Sequence, residues 1–243
     1  MTYGLISDIH ANIEAFDAVL AKLADVDAFL CMGDIVGYGP DPGACIDRLR
    51  DLPNLTCIAG NHDHACVELY GLGWFNTHAL HAIKWTMSQL SDDHKKFLAS
   101  LHLTAKAEDA FLVHGALPNY MDYITSPSEA MVTFEEMPGC LTFVGHTHVT
   151  ECYRNKKETS FCEQTALQRG GEITLHPDIR YIINPGSVGQ PRDGSSHASF
   201  GSYSPETRVV RLHRVRYEFR KVQRKMRRAG LSQFLIDRLS QGR

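Results

Sequence analysis

The sequence predicts an α/β fold in which two sheets pack together. Short apolar runs recur along the first three-quarters of the chain, each ending in small or polar residues. Helical i, i+3, i+4 spacing fills the gaps between the early runs. The later half becomes strand-rich and loses that period.

The runs cover residues 4–6, 28–32, 55–59, 110–113, 141–144 and 181–183. Their β-branched or aromatic content and their length read as buried strands. Ile13, Phe16, Val19, Leu20 and Leu23 repeat with helical spacing, which predicts a helix over 12–24. A second helix is expected over 41–51. Residues 77–101 hold two more, the latter capped by Ser91-Asp92-Asp93. Ser126-Pro127 starts another over 127–137. Residues 149–176 are β-rich and polar. A hairpin is expected from residues 196–203 and 207–216, turned at Ser204-Pro205-Glu206. A basic helix over 217–228 ends at Gly230, and a short helix follows through Leu231, Leu235 and Leu239. The expected organisation is one domain over 1–216 with a basic helical extension, 217–243, packed on it.

The 243 residues are 43% hydrophobic and 22% charged, which excludes disordered, collagen-like and coiled-coil classes. No run approaches the roughly 20 apolar residues of a membrane span. The first strand begins at residue 3 or 4, which leaves no room for a signal peptide. Seven cysteines form no C-x-x-C pair, so a cytoplasmic chain with reduced thiols is expected. The net charge of −3 divides into −13 for residues 1–207 and +10 for 208–243. The basic tail suits either nucleic acid or a solvated face that neutralises the acidic body. The pattern of aromatic residues among the arginines does not support stacking on bases, so the solvated face is favoured. An oligomer is compatible with this charge division.

The high count is histidine, at 13. Polar residues able to ligate metal stand just past the apolar runs. They are Asp8-x-His10, Gly33-Asp34, Gly60-Asn61-His62-Asp63, His114-Gly115 and Gly145-His146-x-His148. Ligands bind at the carboxyl ends of strands in open α/β sheets, so five such loops would converge on one place. A lone strand-end Asp or His is commonly a turn residue; the joint pattern overrides that reading. Mixed nitrogen and oxygen donors suit Mn, Fe, Zn or Ni better than Ca. The other eight histidines carry no motif, although His78 and His81 lie on a helix able to cover the site.

The order D-x-H, G-D, G-N-H-D, H-G, G-H-T-H resembles the calcineurin-like metallophosphoesterase superfamily, and Asn184-Pro185-Gly186-Ser187 extends the likeness. The resemblance implies a four-layer α/β/β/α sandwich of two mixed sheets and a centre of two transition-metal ions, Mn being the expected metal in vitro. By position, Asp8, His10 and His148 would hold one ion. Asn61, His114 and His146 would hold the other, and Asp34 would bridge them. A hydroxide shared by the ions would attack phosphorus in line, with His62 as general acid and Asp63 supporting from behind. In the protein-phosphatase branch an Asp three residues after the bridging Asp orients this histidine; here that position is Gly37.

That branch also has Asp-Arg-Gly after the bridging motif, where this chain reads Gly33-Asp34-Ile35-Val36-Gly37-Tyr38. Tyr38 is a candidate for stacking on a base or aryl group, against the plain reading of a core tyrosine. Arg192 is a candidate phosphate contact, against a structural arginine. The Gly-Tyr-Gly-Pro and Asn-Pro-Gly-Ser segments look like bacterial and archaeal members described as phosphodiesterases or phosphatases. A small phosphodiester or nucleotide is therefore the expected substrate. The alternatives are a protein phosphatase, disfavoured by the missing Arg, and a non-catalytic protein-binding scaffold, disfavoured by the retained His62. A nuclease using the basic tail is the fourth.

Overall fold

The computed structural model describes residues 1–157 and 159–243. Three parallel strands open the chain: β1 (Tyr3–Ile6), β2 (Ala28–Cys31) and β3 (Leu55–Cys57). Between them run α1 (Ile13–Leu20) and α2 (Pro42–Arg50). The Asn12 side chain caps α1 by accepting from the Ala15 N–H at 3.1 Å, and Pro42 starts α2 where its missing N–H costs nothing. The short α3 (Asn61–Ala65) follows, then α4 (Thr77–Gln89) and α5 (Asp92–Ser100), capped by Asn76 and Ser91.

The second half supplies β4 (Thr104–Ala107), β5 (Ala110–Val113), α6 (Pro127–Glu136) and β6 (Leu141–Phe143). Then come β7 (Thr150–Lys156), β8 (Cys162–Ala166), β9 (Gly171–Thr174) and β10 (Ile179–Pro185). The hairpin β11 (Ala198–Ser204) and β12 (Val209–Val215) precedes α7 (Phe219–Arg228) and α8 (Gln233–Gln241). Among the described residues these strands form two mixed six-stranded sheets, β3-β2-β1-β11-β12-β9 and β4-β5-β6-β10-β7-β8.

Strand alternation explains the layering. Leu5 and Leu30 point between the sheets, where they meet Leu112, Phe143 and Ile183. Their neighbours Ile6, Phe29 and Cys31 point the other way, onto Phe16, Val19 and Ile46 of the helices. On the far face Val113, Val144 and Ile182 pack against Ala130 and Phe134 of α6. The central strands of both sheets are therefore buried on two faces, and the result is the expected α/β/β/α sandwich. Each fully buried Leu, Ile or Phe contributes about 1.5–3 kcal/mol by leaving water.

The early elements fall where the apolar pattern puts them, with the helix expected over 12–24 stopping at Leu20. Two elements carry no sequence signal. The edge strand β4 (sequence TAKA) is only half-buried and turns just Ala105 and Ala107 to the core, and α3 is too short to display a period. The tail is attached through charge and apolar contact. Lys221 and Lys225 approach the Glu14 carboxylate at 3.1 and 2.6 Å, and Lys225 reaches Asp41 at 2.9 Å. Val222, Met226, Leu235 and Leu239 cluster with Ala79, Ala82 and Tyr38. No helix among the described residues is long and apolar enough to cross a membrane.

Candidate metal centre

The loops following β1, β2, β3, β5 and β6 bring Asp8, His10, Asp34, Asn61, His114, His146 and His148 together, all of them buried. Tight geometry accompanies the convergence. Asp8, His10, Asp34, His146 and His148 have φ between 47° and 68°, a left-handed conformation that is costly for residues with a side chain. Such strain persists only where surrounding bonds overdetermine it. Here the Asp8 N–H donates to the Gly33 carbonyl (3.0 Å), His10 N–H to the Asp34 carbonyl (3.0 Å) and Gly145 N–H to the His114 carbonyl (2.8 Å). Gly60 is required because a Cβ there would collide with the Asp34 carboxylate.

The imidazoles are oriented from behind. The Nδ1–H groups of His10, His114 and His148 donate to the carbonyls of Val36 (3.0 Å), Met32 (2.7 Å) and Gln190 (2.6 Å). Each ring therefore turns an Nε2 lone pair inward. Inward-facing nitrogens then meet: His10 Nε2 lies 3.0 Å from His148 Nε2, and His114 Nε2 lies 3.1 Å from His146 Nδ1. Two neutral rings cannot satisfy each other there without a proton or a cation between them.

Two overlapping groups result. Asp8, His10, Asp34 and His148 each bring a ligand atom within 4.8 Å of the others, and so do Asp34, His114 and His146. Asp34 is common to both. Its Oδ1 accepts the His62 backbone N–H at 2.9 Å, while Oδ2 stands 3.5 Å from His10 Nε2 and 3.4 Å from His114 Nε2. The Asn61 Oδ1 and His146 Nε2 atoms are buried with no hydrogen-bond partner. Inward lone pairs, a shared carboxylate and orphaned acceptors fit a pair of cations better than a set of hydrogen bonds.

Without a cation, the buried carboxylates and imidazoles of this cluster share charge among themselves. Burial opposes ionisation of Asp34, yet the imidazoles of His114, His62 and His10 hold it well below the usual carboxylate range. Against its own burial, His114 is raised to about 10 by the carboxylates of Asp34 and Asp8. Burial lowers His10, and lowers His146 to about 3.

His62 sits beside this cluster. Its ring lies 4.4 Å from that of Tyr38, 4.9 Å from His10 and 5.0 Å from Phe75. Its Nδ1 is buried without a partner, and a Cβ at Gly37 would collide with that atom. Aromatic packing, not a carboxylate, therefore orients the ring. Burial lowers the imidazole to about 4, with Asp34 pulling upward. Asp63 does not reach His62. It braces the Asp34 loop, accepting from the N–H groups of Ile35 (2.9 Å), Val36 (3.1 Å) and Gly60 (3.0 Å). The Asn184 amide donates to the Gly145 carbonyl at 2.7 Å, and Ser187 Oγ to the Asp8 carbonyl at 2.8 Å, so this segment ties the loops of the two sheets together.

A cleft of about 240 Å³, open to solvent, leads to the cluster past Asn61, His62, His146, Tyr38 and Arg192. Tyr38 is buried and also packs on His10 at 4.6 Å, so it is wall as much as contact surface. Sequence reasoning missed Tyr123, which stacks on His146 at 3.9 Å with an 18° interplanar angle, and the exposed Trp74 on the rim. It also missed the backbone carbonyls that aim the histidines, for which no residue type is a signal. The adjacent Trp74-Phe75 before the Asn76 cap was the one visible hint.

The description "calcineurin-like phosphoesterase superfamily domain" matches residues 1–207. The chain is similar to an uncharacterized protein of Methanocaldococcus jannaschii, at 36% identity over 98% of this chain and 97% of that one. It is also similar to a metallophosphoesterase from Sphaerobacter thermophilus whose crystal structure is known: 37% identity, TM-score 0.89, covering 100% of this chain and 99% of that one. A hypothetical protein from Pyrococcus horikoshii shares the fold with TM-score 0.81 at 17% identity, over 100% and 98% of the two chains. With the match spanning both sheets and every loop of the Asp/His cluster, the chain belongs to the calcineurin-like phosphoesterase superfamily.

Proposed function

We propose that this protein hydrolyses a small phosphoester, a phosphodiester or nucleotide, at a two-cation centre. The single observation that carries the reading is Asp34, whose Oδ2 stands within 3.5 Å of nitrogens from both ligand groups. In this reading Asp8, His10 and His148 hold one ion, Asn61, His114 and His146 the other, and Asp34 both. Two ions held there, Mn, Fe, Zn or Ni, would offset charge on phosphoryl oxygens and would make water a nucleophile near neutral pH.

The remaining work falls to the chain. His62 faces the cleft and donates a proton to the departing oxygen; a phosphoryl anion beside it favours the protonated ring against the effect of burial. Tyr38 and Phe75 hold that ring in place. Arg192 offers a guanidinium to the phosphoryl oxygens. The relation to the Sphaerobacter metallophosphoesterase supports a phosphoester substrate, and the cleft volume suits a small one.

The test is an activity panel on Mn²⁺-loaded protein with aryl monoesters, aryl diesters, cyclic nucleotides, dinucleoside polyphosphates and a phosphopeptide. Turnover of the small esters with a phosphopeptide rate at background supports the reading. Turnover of the phosphopeptide alone overturns it in favour of a protein phosphatase.

A further inference from the structure

Two exposed aromatic side chains line the cleft that leads to the Asp/His cluster. Trp74 is 81% exposed and Tyr123 is 49% exposed. A lone exposed apolar ring is ordinary, whereas two on one cleft mark a surface that a ligand covers. The residues around Trp74 turn inward. Tyr70, Leu72 and Phe75 pack against the core, and Phe75 also packs on His62 at 5.0 Å. Trp74, in the same segment, is left facing water. Tyr123 rests one face on His146 at 3.9 Å and 18°. Through Phe75 or directly, each exposed ring thus adjoins a residue of the candidate site.

The backbone holds both rings in place. The Gly115 N–H donates to the Tyr120 carbonyl at 2.8 Å, and the Tyr153 hydroxyl to the Ile124 carbonyl at 3.3 Å. A Cβ at Gly115 would collide with the Asp122 carbonyl, so the chain on both sides of Tyr123 is fixed. Trp74 sits on one tight turn, closed by the Phe75 N–H donating to the Leu72 carbonyl at 3.3 Å. Rings presented on a fixed backbone lose little freedom when they stack. Polar atoms stand beside them, because Asn76 and Asp122 line the same cleft. Asn76 Oδ1 accepts from the N–H groups of His78 and Ala79, both at 3.0 Å, which turns its amide N–H groups away from α4. Asp122 Oδ2 accepts from the Asn119 amide at 2.9 Å, and among the described residues Oδ1 receives no donor. A free donor and a free acceptor beside aromatic faces match a nucleobase, whose edge carries both; a plain aryl group has no such edge.

We propose that Trp74 and Tyr123 hold the base of a nucleotide whose phosphoryl group lies at the Asp/His cluster, with Asn76 and Asp122 on the edge of that base. The inference rests on the phosphoester reading and narrows it to esters of nucleosides. Stacking tolerates any base, since every base has a π-face, so these residues select the class and not one member of it. Tyr38, which the sequence offers for this role, is buried and packed on His10 and His62 at 4.6 and 4.4 Å. The two exposed rings take the base, and Tyr38 stays in the wall.

The test compares full-length wild type with Trp74→Ala, Trp74→Phe and Tyr123→Leu, each checked for an unchanged thermal transition. Mn²⁺-loaded protein is titrated in a calorimeter with AMP, with ribose 5-phosphate, which lacks the base, and with phenyl phosphate, which replaces it by an aryl ring. Calorimetry reads Kd where the ligand survives and kcat/KM where it is turned over. Wild type should prefer AMP to ribose 5-phosphate by about fivefold to hundredfold, the worth of stacking one base. The preference should fall toward one in Trp74→Ala and in Tyr123→Leu, and Trp74→Phe should keep most of it. Ribose 5-phosphate or phenyl phosphate equal to AMP in wild type overturns the proposal, and so does a preference unchanged in either truncation. A preference that depends on Trp74 and Tyr123 in a protein that turns over no ester sustains the base subsite, and only the hydrolase reading then fails.

Discussion

The metal-ligand cluster and the C-terminal helices are both dense in ionisable residues, and they treat charge in opposite ways. In the cluster, Asp8, Asp34 and four histidines are buried and aimed at one another, and all of them but His114 have a strained backbone. On α7 the cations are mostly spread to solvent, and the contacts that fix the helix are apolar, with Lys221 and Lys225 paired at the edge. Burial makes the first arrangement costly without a ligand, whereas water makes the second cheap. Buried convergence therefore marks chemistry here, and charge density alone does not.

The sharpest way to break this contrast is at Asp34. Asp34→Asn removes the shared anionic oxygen, and turnover should fall at least about 10⁴-fold, with loss of bound metal seen by elemental analysis. Retained activity would reduce the cluster to a structural feature. Next is His62→Ala, where a drop of about 10²–10⁴-fold is expected from lost proton transfer, with metal content intact. Loss of metal instead would move His62 into the ligand set.

The apolar side of the comparison is tested by Leu239→Ala. It opens a gap behind Tyr38 and should destabilise the fold by about 2–5 kcal/mol in a urea titration. A cost below about 1 kcal/mol would show α8 to be loosely attached. The smallest effect belongs to Lys225→Met, about 1 kcal/mol or less for a partly exposed pair. Its pH dependence has a defined sign. Burial opposes ionisation of Glu14, but Lys225 and Lys221 hold its carboxyl below the ordinary value. Its stabilisation is therefore full above the unfolded carboxylate range and lost as pH falls through the lower folded value. Asp41, on the same ammonium, is pushed up by burial and partly offsets this. The acid limb of the stability curve should flatten slightly in Lys225→Met, and an unchanged limb would show Glu14 to be indifferent to its partner.

Much of this was legible in the residues. Alternating β and α patterns located β1, α1, β2 and α2, because buried parallel strands need continuous apolar runs and covering helices need a striped face. The Asp/His cluster was legible because its members stand just past those runs. The edge strand β4 was not, since a half-exposed TAKA carries no hydrophobic signature. Asp63, read from the sequence as a carboxylate behind the ligands or a turn residue, braces the Asp34 loop, because its carboxylate satisfies three backbone N–H groups there.

By itself, the sequence determined the α/β class, the order of the elements and which side chains can ligate metal, since these depend on local periodicity and residue chemistry. Only the tertiary structure decided that Met32, Val36 and Gln190 carbonyls aim the histidines, that aromatic rings rather than a carboxylate hold His62, and that α8 packs behind Tyr38. Those relations join residues far apart in the chain through backbone atoms and close packing, which have no counterpart in the order of the amino acids.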